Sequence, residues 1–76
     1  MIKLPSCSYK DVIRAFKRDG WVVIRQRGSH IRMLKLTGGI VRHIYVPAHS
    51  NIMKGTLHAI ISDAGISEER FIELLK

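Results

Sequence analysis

Cysteine is nearly absent from this chain. Cys7 stands alone, so no disulfide can close within the chain, and a reducing compartment is the natural expectation. Acids are also scarce, six against thirteen Lys and Arg. No apolar run approaches the ~20 residues that a membrane-spanning helix needs, and no membrane is expected. The N-terminus alternates apolar, basic and polar residues, unlike a secretory signal, so a cytoplasmic protein is expected. No pair of carboxylates suggests acid–base hydrolysis. His43, His49 and His58 lack the close pairing of a zinc site and have no second cysteine to join them. Neither a metal nor a cofactor is therefore expected. Lys54-Gly55-Thr56 is not a nucleotide-binding loop, because the upstream glycine of that motif is missing.

What is present is positive charge. The formal net charge is +7 over 76 residues, with a pI near 10.2. Asp63, Glu68, Glu69 and Glu73 crowd into the last fourteen residues, leaving the positive excess to residues 1–62. Such a field attracts polyanions, and nucleic acid is the commonest of them. A basic surface kept only for solubility is the plainer alternative. The length fits one domain, residues 1–76, which buries only ~60% of the surface its unfolded chain exposes. That favours a shallow site on an open surface over a deep cavity.

The pattern along the chain predicts α-β-β-β-α-α. Residues 1–7 read as an irregular lead-in with Pro5. Ser8 and Asp11 form an imperfect capping box. Tyr9, Val12, Ile13 and Phe16 recur at helical spacing, and Gly20 supplies the stop. Residues 21–26 read as a strand rich in β-branched and aromatic side chains. Gly28-Ser29 marks a turn, and His30 to Leu36 a second strand. Thr37-Gly38-Gly39 makes a hairpin connection, and Ile40 to Val46 a third strand ended by Pro47. After a loop over 47–53, Leu57, Ile60, Ile61 and Ala64 mark a helix between Gly55-Thr56 and Gly65. Ser67 caps a last helix carrying Phe71, Leu74 and Leu75. The expected fold is α+β, a three-stranded antiparallel meander with helices on one face and the other face open. Trp21 fits the core better than a base-stacking role.

The chemistry concentrates in Arg25-Gln26-Arg27-Gly28-Ser29-His30. Guanidiniums hold phosphate through paired hydrogen bonds, and a Gly28-Ser29 turn presents backbone N–H groups to an anion. Histidine moves protons near neutral pH. Cleavage of RNA needs a base for the 2′-hydroxyl and cations for the phosphorane. His30 is the candidate base, and Arg25, Arg27 and Lys35 the candidate cations. Lys54 and Thr56, at a helix start, suit a phosphate, with capping by Thr56 as the alternative. Arg14, Lys17 and Arg18 add possible phosphate contacts. On chemistry alone, a surface histidine beside solubilising arginines accounts for the motif equally well.

The chain resembles the HicA family of bacterial and archaeal toxins. The resemblance is carried by Lys3-Leu4-Pro5, Asp19-Gly20-Trp21, Arg25 through His30, Val46-Pro47-Ala48-His49, Lys54-Gly55-Thr56-Leu57 and Ala64-Gly65-Ile66-Ser67, in the family's order. It implies a fold like the double-stranded RNA-binding domain. It also implies that His30 is the catalytic residue of an endoribonuclease that degrades mRNA, the toxin of a type II toxin–antitoxin pair. A HicB-type antitoxin would mask the site. A non-catalytic RNA-binding module, or a domain whose basic face meets an acidic protein, would use the same surface without cleaving.

Overall fold

The computed structural model describes residues 3–76, so the first two residues of the lead-in lie outside it. Helix α1 (Tyr9–Arg18) starts where the sequence supplies a full capping box. The Asp11 backbone N–H donates to the Ser8 hydroxyl at 3.2 Å, and the Ser8 N–H donates to the Asp11 carboxylate at 3.1 Å. Two donors otherwise orphaned at a helix start are satisfied. Val12, Ala15 and Phe16 form the buried stripe of α1. The helix ends at Asp19, and Gly20 takes φ +93°, a left-handed turn that sends the chain back beneath it.

Trp21 was expected to open the first strand but lies outside it. Its N–H donates to the Phe16 carbonyl at 3.0 Å, and its ring meets Phe16 edge-on with centroids 5.7 Å apart. Phe71 joins the stack at 5.6 Å from Phe16. Trp21 is therefore a core plug, as its apolar bulk suggests, and strand β1 (Val22–Arg27) begins one residue later.

Strands β2 (His30–Thr37) and β3 (Ile40–Pro47) complete an antiparallel sheet in the order β1-β2-β3. Pro47 falls inside β3, not beyond it. It ends an edge strand, where a missing donor costs no ladder bond. Side chains that pair across strands share a face. One face therefore gathers Val23, Met33 and Ile44, then Gln26, Ile31 and Val46. Ile31, Met33, Ile44 and Val46 on that face are buried. A bulge between Val23 and Arg25 inserts Ile24 and shifts the alternation of β1. As a result Val22 shares the opposite face with Arg25 and Arg27.

Helix α2 (Lys54–Ala64) buries Leu57, Ile60, Ile61 and Ala64 and lies against β3. Its N-cap is Met53, which makes no side-chain capping bond. Thr56 sits within the first turn, so the alternative of capping by Thr56 does not hold. Helix α3 (Glu68–Leu75) is capped by Ser67, whose hydroxyl accepts from the Arg70 N–H at 3.0 Å. It buries Phe71 and Leu74 against α1. All three helices contribute to one hydrophobic core beneath one face of the sheet. This is the α+β layering expected from the sequence.

The lead-in is also anchored. Leu4 and Cys7 are buried, and Cys7 pairs with Ile52, whose N–H donates to the Cys7 carbonyl at 2.8 Å. Burial, and then the charge of Asp11, push the Cys7 thiol up from its ordinary pKa. A thiol so held yields little thiolate and is unreactive.

Candidate functional site

The turn between β1 and β2 is two residues long, with Gly28 at φ +59° and no positive φ at Ser29. Glycine at the first central position is the pattern of a type II′ hairpin, whose twist matches the strands it joins. Two further bonds hold it. Gln26 Nε2 donates to the Gly28 carbonyl at 3.1 Å, and the Ala48 N–H donates to the Ser29 carbonyl at 2.6 Å. The second ties the turn to the segment leaving β3. His30 thus starts from a braced position on the first residue of β2.

The register then decides its neighbours. Arg27 lies directly across from His30 on one side, and Pro47 on the other. In the next row Arg25 faces Arg32, and Arg32 faces Tyr45. These side chains lie on the face that no helix covers. Arg25, Arg27, His30, Arg32 and Tyr45 line one shallow groove of about 320 Å³. Arg25, Arg27 and His30 are exposed, and Arg32 is half-buried.

The electrostatics of that groove are lopsided. Arg25 directly opposite Arg32 is a like-charge pair, an arrangement that destabilises a sheet by tenths of a kcal/mol up to about 1. Between Asp19 and Asp63 the sequence contains no acid to offset it. An anion laid along the groove relieves that repulsion, and the paired donors of each guanidinium match a phosphate. Arg32 is further oriented by His43, whose Nδ1 accepts from the Arg32 Nε at 3.2 Å.

The sequence singled out Lys35 with His30, but the structure separates them. Lys35 is five residues from His30, an odd step, and so projects from the helix-covered face. Its ammonium is 3.2 Å from the Asp19 carboxylate and its side chain is 28% exposed. Lys35 belongs to a structural cluster in which Asp19 also meets Arg70 at 3.4 Å and accepts from Trp21 Nε1 at 3.3 Å. Arg18 is likewise occupied, donating to the Leu74 and Lys76 carbonyls at 2.8 Å each. Arg14 lies 3.3 Å from Asp11. Arg32 and Tyr45, which sequence reasoning left out of the site, are the residues the sheet brings in. Strand parity was the available signal, since 30 and 32 differ by two and Lys35 does not fit.

Lys54 and Thr56 are exposed in the first turn of α2. That turn follows the segment leaving β3 at its Pro47 end, the end of the sheet that also carries His30. Gly28 and Ser29 stand exposed beside His30. A larger cleft of about 710 Å³ between α2 and α3 has a different character: its lining includes Glu68 and Glu69, and Glu68 lies 3.1 Å from His58. Among the described residues no cluster of three or more His, Cys, Asp or Glu could hold a metal ion.

A family model described as the HicA toxin of bacterial toxin–antitoxin matches residues 9–66, from the first residue of α1 to just past α2. The chain belongs to the HicA toxin family. Membership makes it the toxin side of a toxin–antitoxin pair, with an antitoxin as its partner. A search of curated proteins finds no match. The matched span contains the whole HicA sheet and with it the complete cationic groove around His30. No helix among the described residues is long and apolar enough to cross a membrane.

Proposed function

We propose that this HicA-family chain is an endoribonuclease that cleaves mRNA with His30 as its general base. The observation that carries the reading is the groove itself: one imidazole on an open sheet face, with Arg27 directly across and Arg25 and Arg32 in the next row. His30 takes the proton of a ribose 2′-hydroxyl. The freed oxygen attacks the adjacent phosphorus and displaces the 5′-oxygen, which takes a proton from water; the hydroxide left behind takes the proton from His30 and restores the base. The products are a 2′,3′-cyclic phosphate and a free 5′-hydroxyl. Arg25, Arg27 and Arg32 hold the phosphate as negative charge grows on its oxygens. Backbone N–H groups at Gly28 and Ser29, with Lys54 and Thr56 at the start of α2, track the neighbouring backbone.

The base and the cations are all protein groups, and the reaction as written calls on no metal. The antitoxin is of the HicB type and acts by covering the groove. Support for such a lid comes from the rest of the same face, where Val22, Leu36 and Val41 are exposed. An apolar stretch beside a charged groove suits a protein partner.

The test is purified chain incubated with RNA in chelator, alongside His30→Ala. The wild-type chain should leave cyclic phosphate ends, and His30→Ala should lose at least about a hundredfold in rate, the usual worth of general acid–base catalysis. Because His30 is exposed, the variant should melt with the wild type. Undiminished cleavage by His30→Ala sinks the assignment. Intact RNA that is nonetheless bound by the wild type would make the chain a non-catalytic binding module.

A further inference from the structure

Most aromatic rings of this chain are used by the core. Phe16, Trp21 and Phe71 are buried, and Tyr9 packs against the buried cluster. Tyr45 is the exception, with 55% of its surface exposed on the open face of β3. Its position is specific. It pairs directly with Arg32 and sits one diagonal step from His30, a separation of about 7–8 Å that long side chains bridge. The Arg32 guanidinium carbon lies 5.8 Å from the centre of the ring. The guanidinium lies over the ring and is also held by its hydrogen bond to His43, while more than half of Tyr45 remains exposed.

An exposed flat ring with a planar cation over it has a natural ligand in a groove lined by arginines. Every nucleobase offers a π-face to an aromatic side chain and to a guanidinium, whatever its sequence. A base inside a duplex has both faces covered by its neighbours and cannot offer one. Only an unpaired, unstacked base fits. A protein partner would also value an exposed tyrosine, but the surrounding Arg25, Arg27 and Arg32 favour a polyanion.

We propose that Tyr45 and Arg32 form a base-stacking subsite beside His30, and that this subsite makes single-stranded RNA the substrate. The proposal rests on the ribonuclease reading above and adds the strandedness of the substrate to it. The subsite holds a base next to the scissile phosphate, which brings the 2′-hydroxyl of that stretch to the imidazole. Because stacking accepts any base, it confers strand selectivity with little sequence preference.

The probe is a short 2′-fluoro oligonucleotide carrying 2-aminopurine, which lacks the 2′-hydroxyl nucleophile and stays intact on the wild-type chain. It is measured single-stranded and annealed to its complement. Wild type and Tyr45→Phe should bind the single strand more tightly and quench its fluorescence. Tyr45→Ala should lose that quenching and about tenfold in single-strand affinity, within the range for removing a stacking aromatic. Its duplex affinity should not change. Equal losses for both forms, or none with quenching intact, would overturn the subsite. Retained RNA binding with loss of antitoxin binding would overturn it too, and would give Tyr45 to the protein partner. His30→Ala separates the two ideas, because it tests cleavage and should leave the quenching in place.

Discussion

The two faces of this sheet hold cations in opposite ways. Beneath it, Lys35 and Arg70 converge on Asp19, which is only 11% exposed. Above it, Arg25, Arg27 and Arg32 stand across from one another or from His30, and the strands contain no acid at all. Lys35 and Arg32 are three residues apart on one strand, yet one ammonium is fixed by the fold and the other cation helps line a groove. Positive charge therefore marks nothing by itself. What marks a working cation is the lack of a carboxylate partner, combined with a place beside other groups that need the same ligand.

The sharpest way to break the contrast is to remove the acid beneath the sheet. Asp19→Ala leaves the Trp21 indole N–H, Lys35 and Arg70 without their shared acceptor. A mostly buried acceptor removed from such donors costs about 2–3 kcal/mol, a large share of the stability of a chain this small. The denaturant midpoint should fall accordingly, while RNA affinity of the folded fraction stays put. If Asp19→Ala weakens RNA binding and spares the midpoint, the division between the two faces is false.

Much of this division could be read from the residues beforehand. Apolar spacing and the Ser8 and Ser67 caps located the helices, and β-branched runs between glycine turns located the strands. The open face followed from counting elements. What escaped was everything that depends on register. Ile24 as a bulge residue leaves no mark in composition, yet it puts Val22 with Arg25 and Arg27. Tyr45 and Arg32 are thirteen residues apart and become neighbours only through cross-strand pairing. Closeness along the chain groups Lys35 with His30, although strand alternation alone sends them to opposite faces. The start of α2 was blurred for another reason: Met53 caps it without a side-chain bond, so no capping residue advertised the boundary.

Above the sheet, the same kind of deletion should act the other way round. Arg25→Thr removes one member of the Arg25–Arg32 like-charge pair and substitutes a good strand former. Thermal stability should stay within about 0.5 kcal/mol of wild type, or rise. RNA affinity should drop, and the dependence of log K on log salt should flatten by about one phosphate contact. A stable variant with an unchanged salt slope would mean that Arg25 holds no phosphate.

The smallest expected effect separates the faces by pH. Asp11 has its pKa lowered, first by the Ser8 backbone N–H, then by the Ser8 side chain and the charge of Arg14. A carboxyl depressed in the folded state stabilises the fold at every pH above its unfolded pKa, about 3.9. That contribution fades as the pH falls through the lower folded value, so the loss belongs to the region below about pH 4. Asp11 caps α1 in the helical layer, and the groove on the open face has no carboxylate to titrate there. Asp11→Asn should therefore melt lower than wild type near neutrality and converge with it in strong acid. The melting curves of the two chains, followed by circular dichroism from pH 7 to 2, decide this. Curves that stay parallel through the acid range would show that the cap does not set the acid limit of α1.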